Sequence, residues 1–140
     1  MESRKFAQLS QFLNLVNTAT KLYKDSLKES LALSSIRIGT EQAQILIFLD
    51  AAQGRSQLSM AKSLKKDPAS ISRMLSALEK RSLVQKKKLA KTQKIYLTPE
   101  GIDLLQKIKP IYQKHMIQFF SNIHDKEMHI MQELIQRLGS

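Results

Sequence analysis

The stretch from residue 67 to residue 80 reads Asp-Pro-Ala-Ser-Ile-Ser-Arg-Met-Leu-Ser-Ala-Leu-Glu-Lys. Asp67 followed by Pro68 is a strong signal for a helix start, because a short acceptor side chain suits the N-cap and proline suits the first helical position. The apolar residues that follow have the spacing i, i+3, i+4 and i+7, and they are Ile71, Met74, Leu75 and Leu78. The stretch therefore predicts a capped helix with one buried face.

The opposite face of this predicted helix has the chemistry of a DNA-reading surface. It consists of small hydroxyls and cations, namely Ser70, Ser72, Arg73, Ser76 and Lys80. No carboxylate, which would repel phosphate, occurs between Asp67 and Glu79. An α-helix fits the major groove of DNA, where Arg73 could fork onto the O6 and N7 atoms of guanine. The alternative interpretation is an ordinary surface helix that is polar on one side.

A basic hairpin is predicted directly after this helix. Residues 84–89 and 93–97 are β-prone and flank Ala90-Lys91-Thr92, although this turn lacks the usual Asn-Gly or Asp-Gly signal. The lysines on or beside the hairpin are Lys86, Lys87, Lys88, Lys91 and Lys94. Such side chains can contact phosphates or reach the minor groove, which gives affinity and salt dependence rather than sequence readout. A lysine run alone is more often a solvated face, but its position directly after the capped helix favours DNA binding.

The net charge of the chain is concentrated in this central region. The whole chain carries 23 basic and 12 acidic residues, a formal charge of +11. Residues 55–94 hold twelve of the basic and two of the acidic residues, whereas residues 1–54 have net +1 and residues 95–140 are neutral. A basic excess suggests nucleic acid or an anionic membrane as partner. Its location on one helix and one hairpin favours a nucleic acid duplex.

Apolar periodicity predicts helices on both sides of the basic segment. Thr40 marks the start of one helix, residues 57–64 form a short one, Thr98-Pro99 starts a long one and Asp125 precedes the last. The first third carries two neighbouring apolar rows, formed by Phe6, Leu9, Leu13, Val16, Tyr23 and Leu27 and by Phe12, Leu15, Ala19 and Leu22. We expect part of this first helix to pack against a second copy of the chain. The alternative is a single wide stripe buried within the monomer.

Several functional classes are disfavoured by composition. The 140 residues fit one compact domain, and 42% apolar residues are enough to build a core. The absence of cysteine excludes disulfides and thiolate ligands within the chain. The start of the sequence lacks the apolar segment of a signal peptide and no run approaches the length of a membrane helix, so we expect a cytoplasmic protein without a membrane partner.

Catalysis and metal binding also lack a recognisable motif. His124 and His129 are five residues apart, a poor spacing for shared metal ligation on one helix face, and His115 lies further away along the chain. We found no glycine-rich phosphate loop, nucleophile motif or paired carboxylates. The sequence therefore predicts no catalytic residues, no metal ligands and no cofactor.

The ordered set of motifs in the central region resembles the MarR family of bacterial transcription regulators. The residues that carry the resemblance are Leu58-Ser-Met-Ala-Lys-Ser-Leu64, Asp67-Pro-Ala-Ser-Ile-Ser-Arg-Met-Leu75, Leu78-Glu79, Leu83-Val84 and Leu97-Thr-Pro-Glu-Gly101. No single piece is diagnostic, but the set at these spacings is specific. The flanking regions agree with the family in element order and length, so the resemblance spans essentially the whole chain.

The resemblance implies a mainly α fold with a small β-hairpin wing, that is, a winged helix-turn-helix. It implies a single domain over 1–140, in which 36–99 form the DNA-binding lobe while 1–35 and 100–140 supply dimerisation helices. A homodimer, usually a repressor, would bind a pseudo-palindromic operator on double-stranded DNA. A small-molecule effector, whose binding residues the sequence does not identify, often binds such dimers between the helical body and the lobes.

The site residues carried over from the resemblance lie on the recognition helix, the wing and the connection before the helix. On the helix they are Ser70, Ser72, Arg73 and Ser76, and elsewhere they are Lys65, Lys66, Lys87, Lys88, Lys91 and Lys94. The family wing usually has an aspartate followed two residues later by an arginine that enters the minor groove. This chain has Ala90-Lys-Thr-Gln-Lys94 instead, which favours lysine contacts to phosphate. The family often has glycine where this chain has Ser82.

Two other functions compete with sequence-specific regulation. The lysine-heavy wing is compatible with a non-specific or architectural nucleic-acid-binding protein, which would show little difference between operator and random DNA. A winged helix that binds another regulator would show no binding to DNA even at low salt.

Overall fold

The computed structural model describes all of residues 1–140, which form six helices and three short strands. In chain order they are α1 (Glu2–Leu33), α2 (Thr40–Asp50), β1 (Arg55–Ser56), α3 (Gln57–Leu64), α4 (Pro68–Lys80), β2 (Val84–Leu89), β3 (Thr92–Leu97), α5 (Pro99–Phe119) and α6 (Asp125–Gln136). The predicted order of helices and hairpin is confirmed. Strand β1 was not predicted, because two residues are too few to show an alternating pattern.

The helix starts follow the predicted signals with one difference in detail. Thr98 caps α5, since its side chain accepts a hydrogen bond of 2.9 Å from the amide of Gly101. Asp67 occupies the N-cap of α4 and Pro68 its first position, but the Asp67 side chain makes no capping bond. Helix α2 begins at Thr40, as predicted, and Gly39 is its N-cap. Thus α4 begins where the sequence predicts, with proline rather than a carboxylate bond fixing its first turn.

Three helices end with a left-handed residue that is not glycine. Ser35, Lys65 and Ser82 have φ angles of 60°, 52° and 61°. After α4, the amide of Ser82 donates to Glu79 O at 2.9 Å and that of Leu83 to Leu78 O at 3.0 Å, the two bonds of a Schellman motif. The same position is often glycine in the resembling family, because only glycine adopts this φ without steric cost. Ser82 therefore makes this turn in a moderately strained conformation.

The three strands form one antiparallel sheet in the order β1-β3-β2. The hairpin pairs Val84 with Leu97 and Leu89 with Thr92, so its turn consists of Ala90 and Lys91 alone. Strand β1 adds to the far edge of β3 through the pairing of Arg55 with Ile95. The short strand thereby ties the start of α3 to the base of the hairpin.

One hydrophobic core joins the central region to the two long helices. It is formed by side chains from five helices and from strands β2 and β3, with Leu27 and Leu31 from the end of α1 and Leu105 and Ile108 from the start of α5, whereas β1 and α6 contribute none. Of the four apolar residues predicted for the inner face of α4, Ile71, Leu75 and Leu78 are fully buried and Met74 is partly buried. The chain therefore folds around a single core at the meeting point of lobe and long helices.

Gly101 permits the closest approach within this junction. A Cβ atom at this position would lie 2.0 Å from Leu83 O, far inside van der Waals contact. Thr98 N also donates to Leu83 O at 3.1 Å. The first turn of α5 is thus seated directly on the backbone that leads from α4 into the hairpin.

The remaining parts of the long helices expose large apolar side chains. In α1 only Leu27 and Leu31 are buried, whereas Phe6 is 73% and Leu13 59% exposed. Helix α6 has no buried residue. Its apolar side chains Ile130, Met131, Leu134 and Ile135 are exposed, and so is Ile123, which precedes the helix. The interpretation that the monomer itself buries the apolar rows of the first helix is therefore wrong. None of the helices is long and apolar enough to cross a membrane.

Candidate nucleic-acid interface

The outer face of α4 presents an arginine within a row of serines. Arg73 is exposed, and its Nη2 donates to Ser70 Oγ at 3.1 Å, one turn toward the N-terminus of the helix. Ser72 and Ser76 are half-buried and lie one turn apart at one edge of the same face. Short side chains around a long one let the helix axis approach a groove closely while the guanidinium reaches further. This hydrogen bond also directs the guanidinium toward the N-terminal half of the helix, the half that would meet base edges.

The hairpin separates its lysines between two faces. Lys87 stands directly opposite Lys94 in the ladder and lies on the same face as Tyr96. The Nζ atom of Lys87 is 5.1 Å from the centre of the Tyr96 ring, a cation–π distance. Like charges directly opposite one another destabilise a sheet. The pair is therefore a place where a bound anion would relieve repulsion within the protein.

The tip of the hairpin carries the remaining predicted wing cations. Lys91 occupies the second position of the two-residue turn and is exposed. Lys88 lies opposite Gln93 on the other face of the ladder and is also exposed. Ala90, the first turn residue, has φ of 59°, a left-handed conformation that normally favours glycine or asparagine. The turn thus projects Lys91 from the end of the sheet at a small conformational cost.

The cations of residues 55–94 have no acidic partners within the protein. The three ion pairs of the chain are Lys24–Glu41, Lys109–Asp50 and His129–Glu133, all outside this segment. Asp67 and Glu79, the two carboxylates inside it, are exposed and pair with no cation within 4.0 Å. Unpaired cations on one region maintain a positive potential that attracts a polyanion.

Lys65 and Lys66 point to different surroundings. Lys65 is exposed and takes the left-handed conformation at the end of α3. Lys66 is half-buried and lines a cavity of about 310 Å³ together with Tyr23, Gln44 and Tyr112, which belong to α1, α2 and α5. The structure therefore does not bring Lys66 together with the serines and arginine of α4.

Two arginines of the basic segment are engaged inside the protein, which the sequence did not reveal. Arg55 bridges β1 and α3, because its Nε donates to Ser59 Oγ at 2.8 Å and its Nη2 to Ser63 Oγ at 3.0 Å. Arg81 turns back from the end of α4 to donate from Nη2 to Arg37 O at 2.7 Å. No sequence signal distinguishes these arginines from Arg73, since their partners lie four, eight and 44 residues away.

The arrangement has the shape and the charge that contact with a nucleic acid duplex needs. A groove-sized helix and a hairpin protrude from one lobe, and their cations match phosphates on either side of a groove. No group of three or more side chains of the types His, Asp or Glu is placed to hold a metal ion. The most enclosed titratable residue, His115, lies at the crossing of α1 and α5, outside this surface.

No protein-family model matches the chain. Among curated proteins it is similar to an uncharacterized HTH-type transcriptional regulator of Bacillus cereus, with 26% identity over 129 residues that cover 91% of this chain and 84% of the relative. A related Bacillus anthracis protein with the same description is 29% identical over 100 residues, which cover 71% of this chain and 68% of that protein.

Two solved protein–DNA complexes share the architecture. A mutant of MarR from E. coli, complexed with operator DNA, superimposes with a TM-score of 0.82 at 17% identity and covers 96% of this chain and 98% of that one. The MepR–DNA complex of S. aureus gives a TM-score of 0.78 at 23% identity, with 89% and 91% covered. These likenesses confirm the predicted winged helix-turn-helix fold, with its hairpin wing and its long terminal helices.

Proposed function

Because this chain has the fold of the MarR-family regulators, we propose that it is a sequence-specific DNA-binding transcription regulator that acts as a homodimer. The observation that carries the proposal is the exposed outer face of α4 together with the lysines of the hairpin, none of which pairs with a carboxylate. Both solved neighbours are complexes with DNA, and the curated relatives are HTH-type transcriptional regulators. These descriptions support the proposal from outside the chain.

In the proposed complex α4 enters the major groove. Arg73 exchanges its 3.1 Å bond to Ser70 for a bidentate contact with guanine, which frees the serine hydroxyl for a neighbouring base or phosphate. The half-buried hydroxyls of Ser72 and Ser76 lie one helical turn apart on the same edge of the outer face and contact one sugar–phosphate wall. Sequence preference in this arrangement depends mainly on Arg73.

The hairpin supplies affinity rather than sequence readout. Lys87, Lys94 and Lys91 contact phosphates, and each contact releases condensed counterions into solution. The wing lacks the aspartate and arginine that would brace an insertion into the minor groove, so contacts along the backbone are the proposed mode. Lys88, on the other face of the ladder, and Lys65 extend the positive surface on either side.

The homodimer is proposed from the apolar surfaces of α1 and α6. Exposed side chains of this size and number exceed what a monomeric protein usually leaves in water. A second copy offers the same apolar surfaces, so a two-fold symmetric interface would cover both at once. Two lobes would then face two half-sites of a pseudo-palindromic operator, and occupancy of that operator would repress transcription. The protein would act in the cytoplasm, where its DNA target lies, and has no proposed catalytic role.

A second function is favoured by one specific observation, the composition of the wing. Every cation on the hairpin is a lysine, which contacts phosphate as a point charge and reads no sequence. If α4 also contacted only phosphates, the protein would be a non-specific or architectural DNA-binding protein.

Selection of bound fragments from genomic DNA by the purified protein at physiological salt distinguishes the two functions. We expect the recovered fragments to share a pseudo-palindrome whose half-sites lie about one helical turn apart. Binding without a shared motif would support the architectural function, and absence of DNA binding at low salt would contradict both.

A further inference from the structure

An open cleft lies on the lobe, between the end of α1, the connection to α2 and the residue that follows α4. Its volume is about 600 Å³, within the roughly 300–1,000 Å³ of ligand pockets. Three cations line it, Lys28, Arg37 and Arg81. Apolar atoms are contributed by Ala32, Ile36 and Ile38, and no carboxylate takes part in the lining. We refer to this cavity as the cationic cleft.

The charges of the cationic cleft are not neutralised within the protein. The side chains of Lys28 and Arg37 make no hydrogen bond and no ion pair. Arg81 uses one guanidinium nitrogen for Arg37 O at 2.7 Å and another for Gln42 Oε1 at 3.4 Å, both neutral acceptors. Three cations without an anionic partner therefore line one cavity of about 600 Å³.

These cations are not explained by the proposed DNA surface. Arg81 follows the C-terminal end of α4, whereas the proposed base contacts come from the N-terminal half of that helix. Its guanidinium is held back toward Arg37 by the 2.7 Å bond, away from the outer face of α4. The other two cations belong to α1 and to the connection that follows it.

The wall of the cleft is formed by a fixed backbone turn. Ser35 takes the left-handed conformation that ends α1, with its amide donating to Ala32 O at 2.9 Å. The amide of Ile36 donates to Leu31 O at 3.0 Å, which completes a Schellman motif. The positions of Ile36 and Arg37 are thereby set before any ligand binds, so little ordering is needed on binding.

We propose that the cationic cleft binds a small phosphomonoester with an apolar group. Two arginines and one lysine match a doubly charged anion, and guanidinium forks suit the oxygen geometry of phosphate. Half-buried Ile36 and Ile38 offer an apolar surface for the esterified group, which inorganic phosphate would leave unused. Both the charge and the apolar lining therefore contribute to recognition.

A ligand in the cleft would compete for the guanidinium of Arg81, which now anchors the end of α4 to the α1–α2 connection. If, as proposed above, α4 reads DNA, the ligand would also change DNA affinity, and DNA would change ligand affinity by the same factor. Direct binding to the cleft does not depend on that DNA-binding function.

Titration calorimetry of the full chain with phenyl phosphate tests the proposal at fixed ionic strength. We expect saturable binding that is about tenfold weaker in Lys28→Gln and in Arg37→Gln, since each removes one charged contact. Lys21→Gln is the matched control on the exposed surface of α1 and should bind within about twofold of the wild type. Neither Lys28 nor Arg37 has a side-chain partner in the protein, so both variants should keep the wild-type thermal unfolding temperature.

Three probes separate the contributions to binding. Phenol, which lacks the anion, should not bind, and inorganic phosphate should bind more weakly than phenyl phosphate. The affinity for phenyl phosphate should increase between pH 5 and pH 7.5, because the second phosphate proton dissociates with a pKa of about 6.

The proposal is overturned if phenyl phosphate shows no saturable binding, or if the cleft variants bind it as well as Lys21→Gln does. Mutually exclusive binding of phenyl phosphate and random duplex DNA, rather than a finite change in the affinity of one in the presence of the other, would also overturn it, because the cleft would then belong to the DNA surface. Phenyl phosphate binding by a protein that binds no DNA would leave this site intact and reject only the proposed regulatory function.

Discussion

The lobe around α4 and the helical body of α1 and α6 differ in the kind of side chain that they expose without a partner. The lobe buries most of its large apolar side chains, with Leu58 and Leu89 as exceptions, but exposes cations that have no carboxylate partners. The body pairs or disperses its charges but exposes large apolar side chains along both helices. One surface therefore requires an anion and the other an apolar partner.

This difference shows why the total charge of +11 says less than its distribution. A membrane-binding protein would carry cations and apolar groups on the same face of one helix. Here they lie on separate elements joined by a single core, so each surface can bind its partner without hindering the other. A substitution in one region can therefore be compared with a matched substitution in the other.

The largest effect is expected from a charge placed on the apolar surface of the body. Leu13→Asp should weaken the proposed dimer by about 4 kcal/mol, about a thousandfold in its dissociation constant, because the interface would have to bury a carboxylate. Sedimentation equilibrium measures the change.

Leu58→Asp is the matched control, since Leu58 on the lobe is 58% exposed and Leu13 is 59% exposed. The control should dimerise like the wild type. A Leu13→Asp protein that remains a tight dimer would show that this surface is not the interface.

A smaller loss of stability is expected when a side chain is added at the junction between the two regions. Gly101→Ala puts a methyl group 2.0 Å from Leu83 O, so the first turn of α5 must move off the lobe. We expect the free energy of unfolding to fall by about 3 kcal/mol, as in other overpacked sites.

Gly39→Ala is the comparison, because a Cβ there would meet nothing within 4 Å. It should cost only about 0.5 kcal/mol, the difference between glycine and alanine at an N-cap. Equal losses in urea unfolding would mean that the close approach at Gly101 does not limit the packing.

The sequence predicted the elements whose signals are local. Helix α4 could be located because Asp67-Pro68 and the apolar spacing of the helix agree, and Thr98 caps α5 as expected. Strand β1 was missed because it exists only through its pairing with Ile95, 40 residues away. The left-handed ends of α1 and α3 were missed because Ser35 and Lys65, rather than glycine, adopt them.

The site was predictable as a region but not in every side chain. Arg73 and Lys87 are exposed as expected, since alternation and helical periodicity place them outside the core. Lys66 and Arg81 could not be assigned, because Lys66 lines a cavity with residues of α1, α2 and α5, and Arg81 is held by Arg37 O. Contacts of this kind arise only after the chain has folded.

The wing cations should control the salt dependence of DNA binding. Lys87→Gln with Lys94→Gln removes four cations from a dimer, so the slope of log affinity against log salt should decrease by about 3–4. The same pair of substitutions also removes the repulsion between the opposed lysines, so the protein itself should become slightly more stable. Binding would be followed by fluorescence anisotropy between low and physiological salt.

Lys126→Gln, on α6 of the body, should leave that slope unchanged. An unchanged slope in the double wing variant would mean that the hairpin does not contact phosphates.

The smallest effect on stability is expected when the buried His115 is protonated at low pH. Burial lowers the pKa of His115, whose Nε2 lies 2.6 Å from Ser26 Oγ at the α1–α5 crossing. Because the unfolded chain then binds the proton more readily, the stabilisation from the neutral ring is complete above pH 6.5 and is lost progressively as the pH falls below it.

The unfolding temperature should therefore decrease between pH 7 and pH 5 in the wild type and less steeply in His115→Gln. His129→Gln, on the exposed surface of α6, should follow the wild type. Parallel pH profiles for the wild type and His115→Gln would contradict this assignment.

We propose that α4 contacts bases while the hairpin contacts phosphates, and Arg73→Ala tests this division of roles most directly. The measurement is the affinity for a selected operator and for a random duplex of equal length at one salt concentration. We expect Arg73→Ala to lose about 1–3 kcal/mol on the operator and much less on the random duplex. An equal loss on both duplexes would contradict base reading by α4 and leave a protein that binds DNA through its charge alone.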